Sequence, residues 1–347
     1  MRRLGLAVVC ALVVIGSTAA AGSSGARPYG AADAALRARV RADDLTGGVL
    51  LVARDGTTLH RFAVGATTPG TVMPIASASK WLTSATLMTF VDQGKLALDD
   101  PVQKYLAAFD GAKSSITVRE LLSHTTGLPP AACEGDPATT LRACVASIAA
   151  GGDPTSLPGT EFHYSGVGFA IAGRLVERLS GTSFEQAFQD RIAQPLGMTH
   201  TRFDGIRRPY SRNPSPAASA TSTVDDYARF LRMLAADGTI DGKQTLSPAS
   251  VAEIEKDQVR GLDTSSDGAV QITGIPTYGL GVWRDEVAAD DSIEVVSGSG
   301  ALGFYPWIDR VHGNYGIVGV DDELHGAEHA VPASQRIARK LWQAAAN

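Results

Sequence analysis

Ile75-Ala76-Ser77-Ala78-Ser79-Lys80 leads into Trp81-Leu82-Thr83-Ser84-Ala85-Thr86-Leu87-Met88-Thr89-Phe90-Val91-Asp92-Gln93-Gly94. Leu82, Ala85, Leu87, Met88 and Val91 recur near helical spacing, and Gly94 stands where a helix stops. Ser77 then falls in or just before the first turn, with Lys80 three residues on and on the same face. The first N–H groups of a helix lack internal partners, so the Ser77 N–H is available to an oxyanion. The positive end of the helix dipole and burial both draw the Lys80 amine towards its neutral form, able to take the Ser77 proton. A serine with a base one turn away is an activated nucleophile. Taken alone, S-x-x-K is common by chance and reads as a Ser/Ala-rich helix start with a solvated lysine. Its companions change that balance.

The chain opens Met1-Arg2-Arg3, runs apolar from Leu4 to Ile15 and reaches Ala19-Ala20-Ala21. This is the pattern of a secretory signal peptide over residues 1–21, and the apolar run is too short for a membrane anchor, which needs about 20 residues. Cys10 lies inside the apolar run, which argues against a lipid-anchored cysteine. No later segment is apolar enough to span a bilayer, so no membrane span is expected in the mature chain, and export to the envelope or outside is. Cleavage removes Arg2 and Arg3, taking the formal charge from −5 to −7. A mildly acidic surface is a poor match for nucleic acid or anionic membranes. Of three cysteines, Cys133 and Cys144 remain. An even pair in an exported chain suggests one disulfide, with two buried thiols as the alternative.

Residues 22–30 are Gly/Ser/Ala-rich and read as a flexible leader, followed by a helix over Ala31–Arg41 with Leu36 and Val40 on one face. Gly48–Ala53 and Leu59–Val64 read as strands joined at Asp55-Gly56, a hairpin signal. Val102–Leu106 reads as a short helix. Another begins near Ile116, capped by Thr117 with Glu120 three residues on. It ends in Ser123-His124-Thr125-Thr126-Gly127-Leu128-Pro129, and His124 in that turn is assigned a structural role. Phe169–Leu179 and Phe184–Ile192 are amphipathic helices, 205–221 is loop-like, and Ser222 to Asp226 caps a helix through Leu234. Strands return at Tyr278–Trp283, Ser292–Val296, Leu302–Ile308 and Tyr315–Val320, and Pro332–Ala345 closes as a helix. Strands near both ends around a helical middle predict an α+β fold. One antiparallel sheet is flanked by N- and C-terminal helices (about 31–75 and 270–347), with an inserted, mainly helical part (about 76–269). The serine–lysine turn sits at the seam, where clefts form.

Two further runs complete a constellation. Phe162-His163-Tyr164-Ser165-Gly166 offers a phenol that can act as general base near an amine and a serine, or else a buried aromatic at a helix start. Ser297-Gly298-Ser299-Gly300-Ala301-Leu302-Gly303 offers glycines where a ligand can approach closely, and an Ala301 N–H as second oxyanion donor. The latter also matches G-x-G-x-x-G, but a strand follows instead of a helix, so a nucleotide reading fails.

On these residues the chain resembles the serine β-lactamase, penicillin-binding and esterase superfamily, nearest the branch of class C β-lactamases, DD-carboxypeptidases and family VIII esterases. Ser77-Ala78-Ser79-Lys80 resembles its S-x-x-K and Tyr164-Ser165-Gly166 its Y-x-N. Gly298-Ser299-Gly300 falls where K-T-G or H-x-G stands. Leu121 to Pro129, Pro195-Leu196-Gly197-Met198 and Ser222 to Phe230 match in the expected order. The resemblance implies Ser77 as nucleophile, Lys80 and Tyr164 as the proton-handling pair, and the N–H groups of Ser77 and Ala301 as oxyanion hole. It places Gly166, Gly298, Ser299 and Gly300 at the substrate, and it calls for no cofactor or metal.

Two departures matter. Gly166 replaces an amide side chain, and Gly298 replaces a lysine or histidine that pairs with a substrate carboxylate. Nucleophile, base and oxyanion donors survive while anion recognition weakens. The expectation is therefore hydrolysis of an uncharged small ester or amide through an acyl-Ser77 intermediate. D-alanyl-D-alanine peptides or β-lactams are the alternative substrates, and a catalytically silent relative that binds cell-wall fragments or a partner is the alternative of another class. A Ser-His-Asp hydrolase is disfavoured because the chain has no G-x-S-x-G. Metal chemistry and phosphate binding are disfavoured by the absence of H-E-x-x-H, C-x-x-C and G-x-x-x-x-G-K. The natural substrate and the oligomeric state are not encoded in any motif.

Overall fold

The structure, a computed structural model, describes residues 28–203 and 212–346. The expected signal peptide, residues 22–27 of the leader and residues 204–211 lie outside the described residues. The first helix, α1 (Gly30–Ala42), buries Ala32, Leu36 and Val40. Strands β1 (Gly47–Arg54) and β2 (Thr57–Gly65) follow. Asp55 and Gly56 both take positive φ (50° and 77°), as a tight hairpin matching strand twist requires.

The helical middle holds α2 (Ser79–Asp92), α3 (Val167–Ser180) and α4 (Val224–Ala235). The chain then returns to the sheet as β3 (Trp283–Val287), β4 (Ile293–Ser297), β5 (Tyr305–Asp309) and β6 (Asn314–Val320), and ends in α5 (Ala327–Ala345). The six strands form one sheet in the order β2-β1-β6-β5-β4-β3, every pair antiparallel. β1 joins the two ends of the chain, with Gly48 opposite Val320 and Val64.

Both faces of β1 are covered, which explains its unbroken apolar run. Leu50 and Val52 point with Trp307 and Val318 into a core under α1 and α5, while Val49 and Leu51 point with Ile308 and Ile317 into a core shared with α2 and α4. α2 runs through that second core. Every residue from Ser79 to Phe90 is buried, so its polar side chains must find partners inside. Thr83 donates to the Pro216 carbonyl at 2.6 Å, Thr86 to Leu82 at 2.8 Å, and Ser79 accepts from the Ala220 N–H at 3.1 Å.

Several boundaries differ from expectation. Tyr278–Trp283 is not a strand. Gly279, Leu280 and Gly281 fold back so that Tyr278 bridges Trp283, and β3 begins only at Trp283. Gly281 has φ +84° and presses on the Lys80 carbonyl, where a β-carbon would lie 3.0 Å away. Leu302 and Gly303 belong to the turn before β5. Val102–Lys104 is a single 3₁₀ turn, and the expected helix 184–192 is α-helical over Phe184–Phe188 before widening into a π turn over Gln189–Ala193. Helices at Leu141–Ala150, Pro248–Glu255 and Gly268–Thr273 lack strong sequence periodicity and were not expected. Among the described residues no helix is long and apolar enough to cross a membrane.

Candidate active site

Ser77 lies in a 3₁₀ turn, Ala76–Ala78, that feeds directly into α2. Ala76 is held at φ +44°, a conformation that non-glycine residues rarely adopt and that clusters at functional sites. Three contacts hold this turn. The Tyr227 hydroxyl on α4 donates to the Ala78 carbonyl at 2.9 Å, and the Ile75 N–H donates to Ala220 at 3.0 Å. From the sheet, Gly300 packs so close that a β-carbon would fall on the Ile75 carbonyl oxygen. That approach sets Ala301 beside the serine turn, and only glycine allows it.

Lys80 is buried, 3 % exposed, with Nζ 3.1 Å from Ser77 Oγ and 3.2 Å from the Ala217 carbonyl. The amine also faces two rings, 4.5 Å from the Tyr164 centroid and 5.5 Å from that of Phe169. The structure thus brings Ser77, Lys80 and Tyr164 together, but Lys80 meets the face of the phenol ring. No hydrogen bond joins the Tyr164 hydroxyl to Ser77 or Lys80 among the described residues. Neither the Ser77 nor the Ala301 N–H donates to a backbone carbonyl among them, so both are available to an oxyanion.

The Tyr164 ring is braced from behind. Tyr278 packs edge-on against it (centroids 6.0 Å apart, 90°), and the Tyr278 hydroxyl lies 3.3 Å from His124 Nε2. His124 Nδ1 accepts from the Ser165 N–H at 3.3 Å, which puts the ring proton of a neutral imidazole on Nε2. Burial, and after it the charge of Lys80, pushes His124 well below its usual range, so the ring is neutral. Burial, then the Tyr164 oxygen, pushes the Tyr278 hydroxyl well above its usual range and keeps it a donor. The run Ser165 N–H, His124, Tyr278 therefore ends in a buried hydroxyl on a ring packed against Tyr164. Trp283 stacks on the Tyr164 ring (5.5 Å, 18°), and Asp267 accepts from its N–H at 2.9 Å.

The third run is shaped by packing. A β-carbon on Gly298 would lie 3.1 Å from the Trp81 ring, 3.6 Å from Pro306 Cγ and 3.8 Å from the Tyr227 hydroxyl. A side chain there would need the indole to shift by a few tenths of an ångström. Ser299 is nearly buried, and its hydroxyl makes no hydrogen bond among the described residues. Behind the loop, Ser334 donates to the Gly303 carbonyl at 2.5 Å, the Asp322 N–H donates to Leu302 at 2.9 Å, and Arg39 reaches both Ser334 (2.6 Å) and Asp322 (3.2 Å).

Asp322, His325 and His329 form one group near enough for a metal, their ligand atoms within 4.8 Å of one another. Arg39 and His325 already engage Asp322, so in this structure the group buttresses the loop.

Sequence reasoning missed Glu134. Gly166 begins α3, and a β-carbon there would fall on Glu134 Oε2 and lie 3.4 Å from Ala217 Cβ. The carboxylate occupies the place of the missing residue-166 side chain. Glu134 is held by the disulfide between Cys133 and Cys144 (S–S 2.05 Å), and by Asn213, whose amide donates to the carbonyls of Cys133 and Asp136 at 2.7 and 3.0 Å. The cysteines were the only sequence signal near it.

A six-stranded antiparallel sheet with this helical insertion is the β-lactamase/transpeptidase type of α+β fold. The beta-lactamase family model matches residues 32–338, and the chain belongs to that family, whose superfamily consists of serine hydrolases. Penicillin-binding protein 4 of Amycolatopsis lactamdurans is 32 % identical over 262 residues, spanning 64 % of this chain and 68 % of that protein. An uncharacterized protein of Mycobacterium tuberculosis is 28 % identical over 295 residues, spanning 68 % and 72 %. Among solved structures, a candidate β-lactamase from Bacteroides dorei is 32 % identical with a TM-score of 0.81, covering 90 % of this chain and 98 % of that one. A family VIII carboxylesterase, at 17 % identity and a TM-score of 0.73 over 92 % and 98 %, shares the fold.

Proposed function

We propose that this protein is an exported serine hydrolase that cleaves small ester or amide substrates through an acyl-Ser77 intermediate. The observation that carries the reading is the buried Lys80 amine 3.1 Å from Ser77 Oγ, beside two unengaged N–H groups. With one N–H directed at Ala217, a neutral amine can turn its lone pair to the serine hydroxyl and take its proton as Oγ attacks the substrate carbonyl. The resulting ammonium rests against the faces of Tyr164 and Phe169, where a cation is attracted by the ring quadrupoles. The tetrahedral oxyanion takes hydrogen bonds from the Ser77 and Ala301 N–H groups. On collapse the carbonyl–leaving-group bond breaks, and the leaving group departs with a proton delivered through Lys80 or the Tyr164 hydroxyl. Water, deprotonated by the same groups, then releases the acid and restores Ser77.

Trp81 in the space beside Gly298 supports substrates without a carboxylate next to the scissile bond, since no cation from that position can pair with one. The name of the Amycolatopsis relative favours a second reading, action on D-alanyl-D-alanine peptides or β-lactams. One experiment separates them. Purified protein is incubated with p-nitrophenyl esters and with penicillins, then weighed intact by mass spectrometry. Ester turnover that Ser77→Ala abolishes, without penicilloyl adduct, is the expected result. A persistent penicilloyl adduct on Ser77 supports the second reading, and ester turnover undiminished in Ser77→Ala would falsify both.

A further inference from the structure

We propose that the Glu134 carboxylate is the specificity-determining group of this site and selects substrates that carry a protonated amine near the scissile carbonyl. This rests on the hydrolase reading and narrows its substrates from those without a carboxylate to those that carry a protonated amine. The carboxylate stands at the start of α3, on the spot where a side chain from position 166 would be, and next to Ala217, whose carbonyl receives the Lys80 amine. It is only half-buried, so a ligand can reach it.

Among the described residues its one hydrogen-bond partner is the Ala131 N–H at 3.5 Å, a weak contact that leaves most of its acceptor capacity unused. Burial pushes its protonation upward, opposed by the Ala131 N–H and then by the charge of Lys80. The disulfide and the Asn213 amide fix its backbone in advance of any ligand.

Position 298, by contrast, carries no side chain, and the Trp81 indole lies against it. The site has therefore exchanged positive for negative recognition. A substrate carboxylate meets no cation at position 298 and a like charge at 134, while an ammonium meets an underused acceptor. Aminoacyl esters and amides with a free amine are the class of small acyl donor that fits.

The test compares alanine p-nitroanilide with its N-acetyl twin, in which only the charge is removed. The ratio of kcat/KM values is read for wild type, Glu134→Asp and Glu134→Gln, with melting temperature as the check on folding. The expected ratio is on the order of 10 or more in wild type, intermediate in Glu134→Asp and about 1 in Glu134→Gln, as for the loss of a desolvated charge pair. Calorimetric binding of alaninamide and N-acetylalaninamide to Ser77→Ala, with and without Glu134→Gln, gives the same preference independently of turnover. Neutral esters cleaved with no amine preference in the wild type, or a ratio unmoved by Glu134→Gln, overturns this proposal and leaves the hydrolase intact. Amine-selective binding that needs Glu134, in a wild type that turns over nothing, upholds it and removes the hydrolase.

Discussion

At Tyr164 the ring is braced by neighbours that no motif announces. Tyr278 packs on it from the turn before β3, backed by His124 with both ring nitrogens engaged. Tyr278→Phe strands the buried His124 Nε2 and loosens the packing behind Tyr164, so kcat should fall about tenfold, the equivalent of one lost hydrogen bond, while KM changes little. A merely structural role predicts instead a lower melting temperature with kcat and its pH profile unmoved. At this scale the sequence was partly legible. Ser77 and Lys80 are three residues apart on one helix, so periodicity alone brings them together. Tyr278 and Glu134 arrive from distant turns, and neither the aromatic-rich run around Tyr278 nor the paired cysteines encode a direction. Gly166 and Gly298 were legible as departures, but the carboxylate and indole that stand against them come from other elements.

Among the elements, hairpins and capped helices were the most legible. Asp55-Gly56 forms the expected turn, and Thr117 and Glu120 make a reciprocal capping box before Val118–Leu122. Tyr278–Trp283 misled because apolar residues alternating with glycine suggest a strand, whereas Gly281 lies against the backbone of α2 and Gly279 against the Ile254 carbonyl. A second element-level device is the turn Leu96–Pro101. The Asp100 carboxylate receives Lys104 Nζ at 2.8 Å, then the Tyr105 hydroxyl at 2.5 Å and the Ala97 N–H at 2.9 Å, which hold it down at about 2. A depressed carboxylate stabilises the fold above its unfolded value of about 4, and that contribution disappears as pH falls towards 2. Asp100→Asn should therefore lower the urea midpoint at pH 6, with the gap to wild type closing by pH 2. A constant gap across that range contradicts the pairing.

For the whole molecule, the sheet and the helical middle share one buried helix. α2 is enclosed over Ser79 to Phe90, and β1 is covered on both faces and paired on both edges. Local opening there demands disruption of both cores, so their amides should be the slowest to exchange. Hydrogen exchange followed by mass spectrometry should find peptides from α2, β1 and β6 protected longest, and β2, at the sheet edge with its alternating exposed side chains, released earlier. Uniform exchange across the sheet would contradict a core organised on α2. The α+β outline was legible because strand-like runs cluster near the two ends, but the sheet order was not, since pairing across the insertion leaves no local trace.

That pairing sets a timetable for biogenesis. Val49 meets Ala63 a few residues on, yet its other neighbour, Gly319, leaves the ribosome only after the whole helical middle has been made. Until then the β1–β2 hairpin carries an open hydrogen-bonding margin with nothing to close it. A nascent chain in that condition cannot lock into its final form until its last strand has emerged.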